Sequence, residues 1–233
     1  MRFRVLACDY DRTIALNAVV PDANRRALRE VAATGRRLVL VTGRTMTELL
    51  DVFDELRLFD RIVLENGAVV HDPARGADRL LAPPVSAALV AELERPRMQP
   101  LAVGRAICAT AAQNERQLMA VLGDLRLDLK LSYNRDSVMV LPAGISKATG
   151  FNAALGELGE APPSTVAVGD GENDLPLLAA AGVGVAVENA VEALKQQADL
   201  TLTQAGTEGF RRLCTSLVTH DLADLLEVSP ARA

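Results

Sequence analysis

Apolar positions along the chain alternate between short buried-looking runs and stretches with helical spacing. Phe3 to Cys8 is a short, mostly apolar run that ends in Asp9, which predicts a buried strand with an acid at its carboxyl end. Pro21 and Asp22 then open a helix, with Asp22 as its cap. Ala27, Leu28, Val31 and Ala32 lie on one face of that helix and Gly35 stops it. Leu38 to Val41 is a second buried strand, ending in Thr42-Gly43-Arg44. In the helix that follows, Met46, Leu49, Leu50 and Phe53 share a face. Ile62 to Leu64 is a third strand. This β-α-β-α-β order predicts a Rossmann-like, doubly wound α/β core with a parallel sheet.

The pattern then breaks. His71 to Pro84 is rich in Pro, Gly, Asp and Arg and reads as a linker. After it come a helix from Ser86 to Leu93, a strand from Ala106 to Thr110 and a helix from Asn114 to Leu122. The strands Leu129 to Tyr133 and Val138 to Leu141 then flank a turn at Asn134-Arg135-Asp136. Residues 72–143 are therefore expected to form a small inserted α+β domain, with residues 1–71 and 144–233 as the core. The first pattern returns in the helix Lys147 to Leu158, the strand Val166 to Val168 and the loop Gly169-Asp170-Gly171-Glu172-Asn173-Asp174. A helix through Leu177 and Leu178 leads to the strand Val183 to Val187, the helix Ala190 to Gln197 and the strand Leu200 to Leu202. A last helix runs from about Thr207 to Val218, and the tail from Asp221 is expected to fray.

Composition narrows the class. The chain has 233 residues, enough to bury a substantial core, and its aromatic content of 3% leaves that core to Ala, Val and Leu. A net charge of -5 argues against a nucleic-acid or anionic-membrane surface, which would need clustered Lys and Arg. No apolar run is long enough to span a bilayer, and no signal-peptide pattern follows Arg2 and Arg4. Cys8, Cys108 and Cys214 match no zinc or disulfide spacing and read as buried reduced thiols, which points to the cytoplasm. His71 and His220 read as surface or linker residues.

Candidate chemistry sits at the strand ends. In a parallel sheet Asp9 and Asp11, Thr42 and Gly43, and Asp170 and Asp174 would meet along one edge. Two carboxylates about 4 Å apart repel by roughly 4 kcal/mol at an effective dielectric near 20. A cation or a proton must offset that repulsion, and oxygen ligands without His or Cys favour Mg2+. Opposite the acids, the Thr42 hydroxyl, the Gly43 N–H and the Lys147 charge suit an anion. Acids that can hold a metal, facing donors for an anion, match the needs of phosphoryl transfer.

Taken together, these segments resemble the haloacid dehalogenase (HAD) superfamily, specifically its Cof-like class IIB phosphatases with a small C2 cap. Asp9-Tyr10-Asp11-Arg12-Thr13 is similar to the first motif of that family, Thr42 with Gly43 to the second, Lys147 to the third and Gly169 to Asp174 to the fourth. The resemblance implies that Asp9 is the nucleophile and forms an aspartyl-phosphate, and that Asp11 is the general acid and base. It implies Mg2+ held by Asp9, the Asp11 carbonyl and Asp170. Phosphate would be bound by Thr42, Gly43, Lys147 and Asn173, with Asp174 orienting Lys147 or a metal-bound water. The position of Arg12 often carries Gly in this family; an Arg there would border the site mouth and favour an anionic leaving group.

The insertion lies between Thr42 and Lys147, as in a C2 cap, and such caps select the leaving group. Its small size resembles phosphoglycolate, sucrose-phosphate and mannosylphosphoglycerate phosphatases. Candidate selecting residues are Arg12, Arg44, Asn66, Tyr133, Asn134 and Arg135. The expected activity is hydrolysis of small phosphate esters by a cytoplasmic monomer or homodimer. The alternatives are a phosphomutase of the phosphomannomutase class and a catalytically silent binding module.

Overall fold

In the computed structural model, which describes residues 1–95, 98–125 and 129–227, the first apolar run forms β1 (Val5–Asp9), buried along its whole length. It is followed by α1 (Asp22–Ala33), β2 (Arg37–Val41), the short α2 (Met46–Leu50) and β3 (Arg61–Leu64). β4 (Val69–Asp72) and β5 (Ala77–Leu80) form a hairpin. The inserted region continues with α3 (Ala87–Glu94), β6 (Leu101–Val103), β7 (Cys108–Ala111), α4 (Glu115–Leu125), β8 (Leu129–Asn134) and β9 (Ser137–Pro142). The chain returns through α5 (Lys147–Leu158), β10 (Thr165–Gly169), α6 (Leu175–Ala180), β11 (Val183–Ala186), α7 (Glu192–Gln197), β12 (Leu200–Thr201), α8 (Gly206–His220) and α9 (Ala223–Leu226).

The larger sheet runs β12-β11-β10-β1-β2-β3-β4-β5. Its strands are parallel from β12 to β3, and β4 and β5 add antiparallel at one edge. β1 sits inside it because Leu6, Ala7 and Cys8 have no polar group to present to water on either face, as buried parallel strands require. The helices pair as α1 with α8 and α5 with α6. A separate antiparallel sheet, β6-β7-β9-β8, has its own small core of Leu89, Leu93, Met98, Cys108, Leu118, Val138 and Val140. The fold is α/β with a parallel-rich central sheet and a distinct second sheet.

Several expectations need correction. His71 to Pro84 is no linker for most of its length, because β4 and β5 pair into the large sheet. The inserted unit therefore begins after Leu80, not at residue 72. β5 escaped notice because it is an edge strand: Ala77, Asp78 and Arg79 are exposed, and a charged edge discourages further pairing. His71 lies on β4 with Nδ1 2.6 Å from Asp78 Oδ1 across the hairpin. β6 also went unseen, its residues being half-buried or exposed. Asp22 makes no capping bond; Pro21 holds the cap position and Asp22 is an acid in the first turn, where the helix dipole favours it. α2 ends at Leu50, which is exposed, and Phe53 reaches the core from the following turn. The tail is pinned as far as α9: the Asp221 carboxylate accepts from the backbone N–H groups of Arg2 and Phe3 and from Arg36, and Leu222 is buried. The remainder of that tail, residues 228–233, lies outside the described residues. Cys8, Cys108 and Cys214 are buried and unpaired, as expected. No described helix is long and apolar enough to cross a membrane.

Candidate active site

Asp9 ends β1, Thr42 follows β2 and Asp170 follows β10. These three strands are adjacent, so their polar ends stand side by side. The chain leaves β1 for β2 on one side while β10 pairs on the other, which places the end of β1 at the switch point where an open α/β sheet leaves a crevice. Lys147 is the first residue of α5 and reaches this crevice with its whole side chain buried.

The Lys147 ammonium donates to Asp9 Oδ1 at 2.6 Å and to Asp174 Oδ1 at 2.5 Å. Burial works against that charge, but the two carboxylates outweigh it and hold the Lys147 pKa above the ordinary lysine value. Burial, joined by repulsion from Asp174, pushes Asp9 well up, although Lys147 pulls the other way. Burial and Asp174 likewise push Asp170 up to about 6. The second oxygen of Asp174 accepts the backbone N–H groups of Asp170 and Gly171, both at 3.0 Å. Asp174 is thereby fixed on both oxygens and holds Lys147 in place.

Oxygens of Asp9, Asp170 and Asp174 lie within 4.8 Å of one another. Three buried carboxylates, raised pKa values at two of them and a hard-oxygen donor set fit a divalent cation. Asn173 Oδ1 is buried beside them with no hydrogen-bond partner, an acceptor suited to a donor from outside the protein. Asp174 is engaged on both oxygens, so Asp9 and Asp170 are the acids better placed to hold the cation.

Asp11 stands apart from this cluster. Its carboxylate takes a two-bond grip from Arg44, Nε to Oδ2 at 2.8 Å and Nη2 to Oδ1 at 2.7 Å. The Thr42 hydroxyl accepts from the Arg44 N–H at 3.1 Å, and Gly43 sits against Asn66 and Met139. Asn66 is buried, accepts from Asn173 Nδ2 at 2.9 Å and donates to the sulfur of Met139. Asn66 adopts φ 53° in a left-handed run from Glu65 to Gly67. Gly67 is required there: its φ is 102°, and a Cβ would lie 1.8 Å from the Ser146 carbonyl just before α5.

From the second sheet, the turn between β8 and β9 reaches over the cluster. Arg135 Nη2 donates to Asp170 Oδ2 at 2.8 Å and to the Asn189 carbonyl at 2.6 Å. Arg12 is exposed and lies 3.8 Å from Asp136 of that turn. Tyr133 is not brought to the site; it is exposed and donates to Glu115 within the second sheet's own unit. A cavity of about 860 Å³ opens here, lined among others by Asp11, Arg12, Arg44, Asn134, Arg135 and Asp170. Asp9, only 4% exposed, does not line it, but has a carboxylate oxygen within 4.8 Å of one on Asp170, which does.

Three residues make contacts at the site that the sequence did not reveal. The Glu65 carboxylate is buried and accepts the backbone N–H groups of Arg105 at 2.9 Å, Ala106 at 2.8 Å and Ile107 at 3.3 Å. Asn189 links the Arg12 carbonyl to the Gly206 N–H. Glu172 accepts from the Arg135 N–H at 3.2 Å. Their partners are backbone groups far along the chain, which leave no mark in residue type or spacing.

Comparison with known proteins gives a consistent picture. A family model described as haloacid dehalogenase-like hydrolase matches residues 6–90 and 105–212. A phosphoglycolate phosphatase of Natronomonas pharaonis is 30% identical over 224 residues, covering 88% of this chain and 93% of the relative. The 5-amino-6-(5-phospho-D-ribitylamino)uracil phosphatase of Bacillus subtilis is 25% identical, covering 84% and 88%. Among solved structures, a haloacid dehalogenase-like hydrolase from Bacteroides thetaiotaomicron superimposes with a TM-score of 0.77 at 21% identity, over 92% of this chain and 99% of that one. A HAD subclass IIB sugar phosphatase does so at 0.72 and 17%, over 92% and 98%. At those identities the structural likeness is one of fold.

Proposed function

The chain belongs to the haloacid dehalogenase-like hydrolases, and from that premise we propose that it is a Mg2+-dependent phosphomonoesterase for small phosphorylated metabolites. The observation that carries this reading is the buried set of Asp9, Asp170 and Asp174 around Lys147.

Asp9 is the nucleophile. Its carboxylate oxygen forms a bond to phosphorus as the bond from phosphorus to the leaving oxygen breaks, giving an aspartyl-phosphate. Asp11 gives its proton to that leaving oxygen, then takes one from the water that attacks phosphorus and releases Asp9. Both Asp11 oxygens accept from Arg44, the pairing of an ionised carboxylate, so Asp11 leaves that grip and takes up a proton from solvent before it serves as the acid. Mg2+ would be held by Asp9, the Asp11 carbonyl and Asp170, and would supply positive charge against the phosphoryl oxygens. Thr42, Gly43, Lys147 and Asn173 bind the phosphoryl group, and Asp174 keeps Lys147 pointed at it.

The unit built on the second sheet is the cap, which selects the leaving group. Arg12, Arg44, Asn66 and Arg135 are its candidate contacts, whereas Tyr133 faces away. Phosphoglycolate and sugar phosphates are the substrates to try first, given the names of the relatives. The test is a panel of phosphate esters with Mg2+, read as phosphate release. Wild-type protein should turn over at least one small ester, and Asp9→Asn should fall to background. Full activity in Asp9→Asn would overturn the mechanism. Isomerised sugar phosphate without phosphate release would favour a mutase, and no turnover of any ester would favour a binding module.

A further inference from the structure

The turn between β8 and β9 reaches across to the larger sheet at one of the acids that would hold the cation. Arg135 occupies the left-handed region with φ 49°, a conformation a non-glycine residue keeps only when its surroundings hold it. Three bonds do so. Its N–H donates to Glu172, and one guanidinium nitrogen donates both to Asp170 and to the Asn189 carbonyl. Asn134 presses against the same loop, where a Cβ on Gly171 would lie 2.7 Å from its side-chain oxygen. The guanidinium is only partly exposed, and its Nε is buried without a partner. Arg135 is therefore incompletely satisfied in this arrangement, although its position is well defined.

We propose that Arg135 is a latch that closes the cap on the metal-free enzyme and competes with the divalent cation for Asp170. The proposal rests on the reading of Asp170 as a cation holder. A guanidinium and a divalent ion on one carboxylate repel with twice the force of two unit charges at the same spacing. The Arg135 pair, with 28% of its side chain exposed, is the weaker partner and yields. Once displaced, the guanidinium is free to turn into the cavity that it already lines. By linkage the effect is reciprocal: the cation opens the turn, and removing the latch strengthens cation binding. The enzyme would then take up metal before substrate.

The experiment is calorimetric titration of Mg2+ into the full chain, as wild type, Arg135→Gln and Arg135→Ala, paired with hydrogen exchange. Both variants should bind Mg2+ roughly fivefold more tightly than wild type, the size of one partly exposed ion pair. In wild type, Mg2+ should speed exchange at the Arg135 amide, which Glu172 protects in the latched state. Equal or weaker binding in the variants, or unchanged or slower exchange at that amide, overturns the latch. Absence of Mg2+ binding in all three proteins would remove the cation site itself, and the latch with it. Phosphate release without a latch effect would leave the phosphatase reading standing alone.

Discussion

Arg12 stands where the chain turns away from Asp9, and its φ of 60° explains a preference for Gly at that position. A residue with a Cβ loses about 1–2 kcal/mol in that conformation. Its contact with Asp136 returns little, because the pair is 3.8 Å apart and largely exposed. Arg12→Gly should therefore raise stability by about 1 kcal/mol in chemical denaturation. It should also lower turnover of anionic esters relative to neutral ones, since Arg12 lines the cavity mouth. Unchanged selectivity would leave Arg12 a solvent-facing turn residue. Lys147 shows the opposite balance: it is buried between two carboxylates, and its spacing from them could be read only through motif order. Asp9, Asp11, Thr42 and Asp170 were legible as strand-end residues. The pairing of Asp11 with Arg44 was not, since Arg44 gave no sign of whether it faced solvent or the acid.

Among the elements, the loop between β3 and β4 of the large sheet is tied to the inserted unit by one buried acid. Glu65 takes three backbone N–H groups from Arg105, Ala106 and Ile107, between β6 and β7. Glu65→Gln would turn one acceptor into a donor facing an N–H, leaving that group buried and unpaired. The expected loss is about 1–3 kcal/mol of stability in urea denaturation. Hydrogen exchange at Ala106 and Ile107 should quicken with it; unchanged exchange would mean that the loop is held by packing alone. Most buried strands were visible as apolar runs because both of their faces are covered; β4 was missed, although mostly buried, because its apolar run is only Val69 and Val70 before His71 and Asp72. β5 and β6 were missed because edge strands half open to water carry no such run. The acidic loop after β10 was legible as a turn, but its docking on the β8–β9 turn depends on a contact between distant segments.

At the scale of the whole molecule, burying several acids at one sheet edge makes stability depend on pH and metal together. Burial and Asp174 push Asp170 up to about 6 from the ordinary 3.8 of an unfolded chain, and Asp9 is also raised. The folded state thus holds protons that the unfolded state has released, so these groups destabilise the fold as pH rises from 3.8 to about 6. Mg2+ should reverse that loss, because it needs the ionised carboxylates. The gain in thermal midpoint on adding Mg2+ should be largest above about 6 and fade below it as protons reclaim Asp170. An equal gain on both sides would show that the cation binds elsewhere. What the sequence by itself determined was the alternation of buried strands and helices, the strand-end positions of the candidate acids and the presence of an insertion between Thr42 and Lys147. Each is a local pattern, set by which side chains water rejects and which ions one another can offset. Only the tertiary structure decided which strands lie at the edge, where the inserted unit begins, which cation serves each acid, and that Arg135 reaches Asp170. Those depend on contacts between segments far apart in the chain, where a few ångströms decide whether two charges meet.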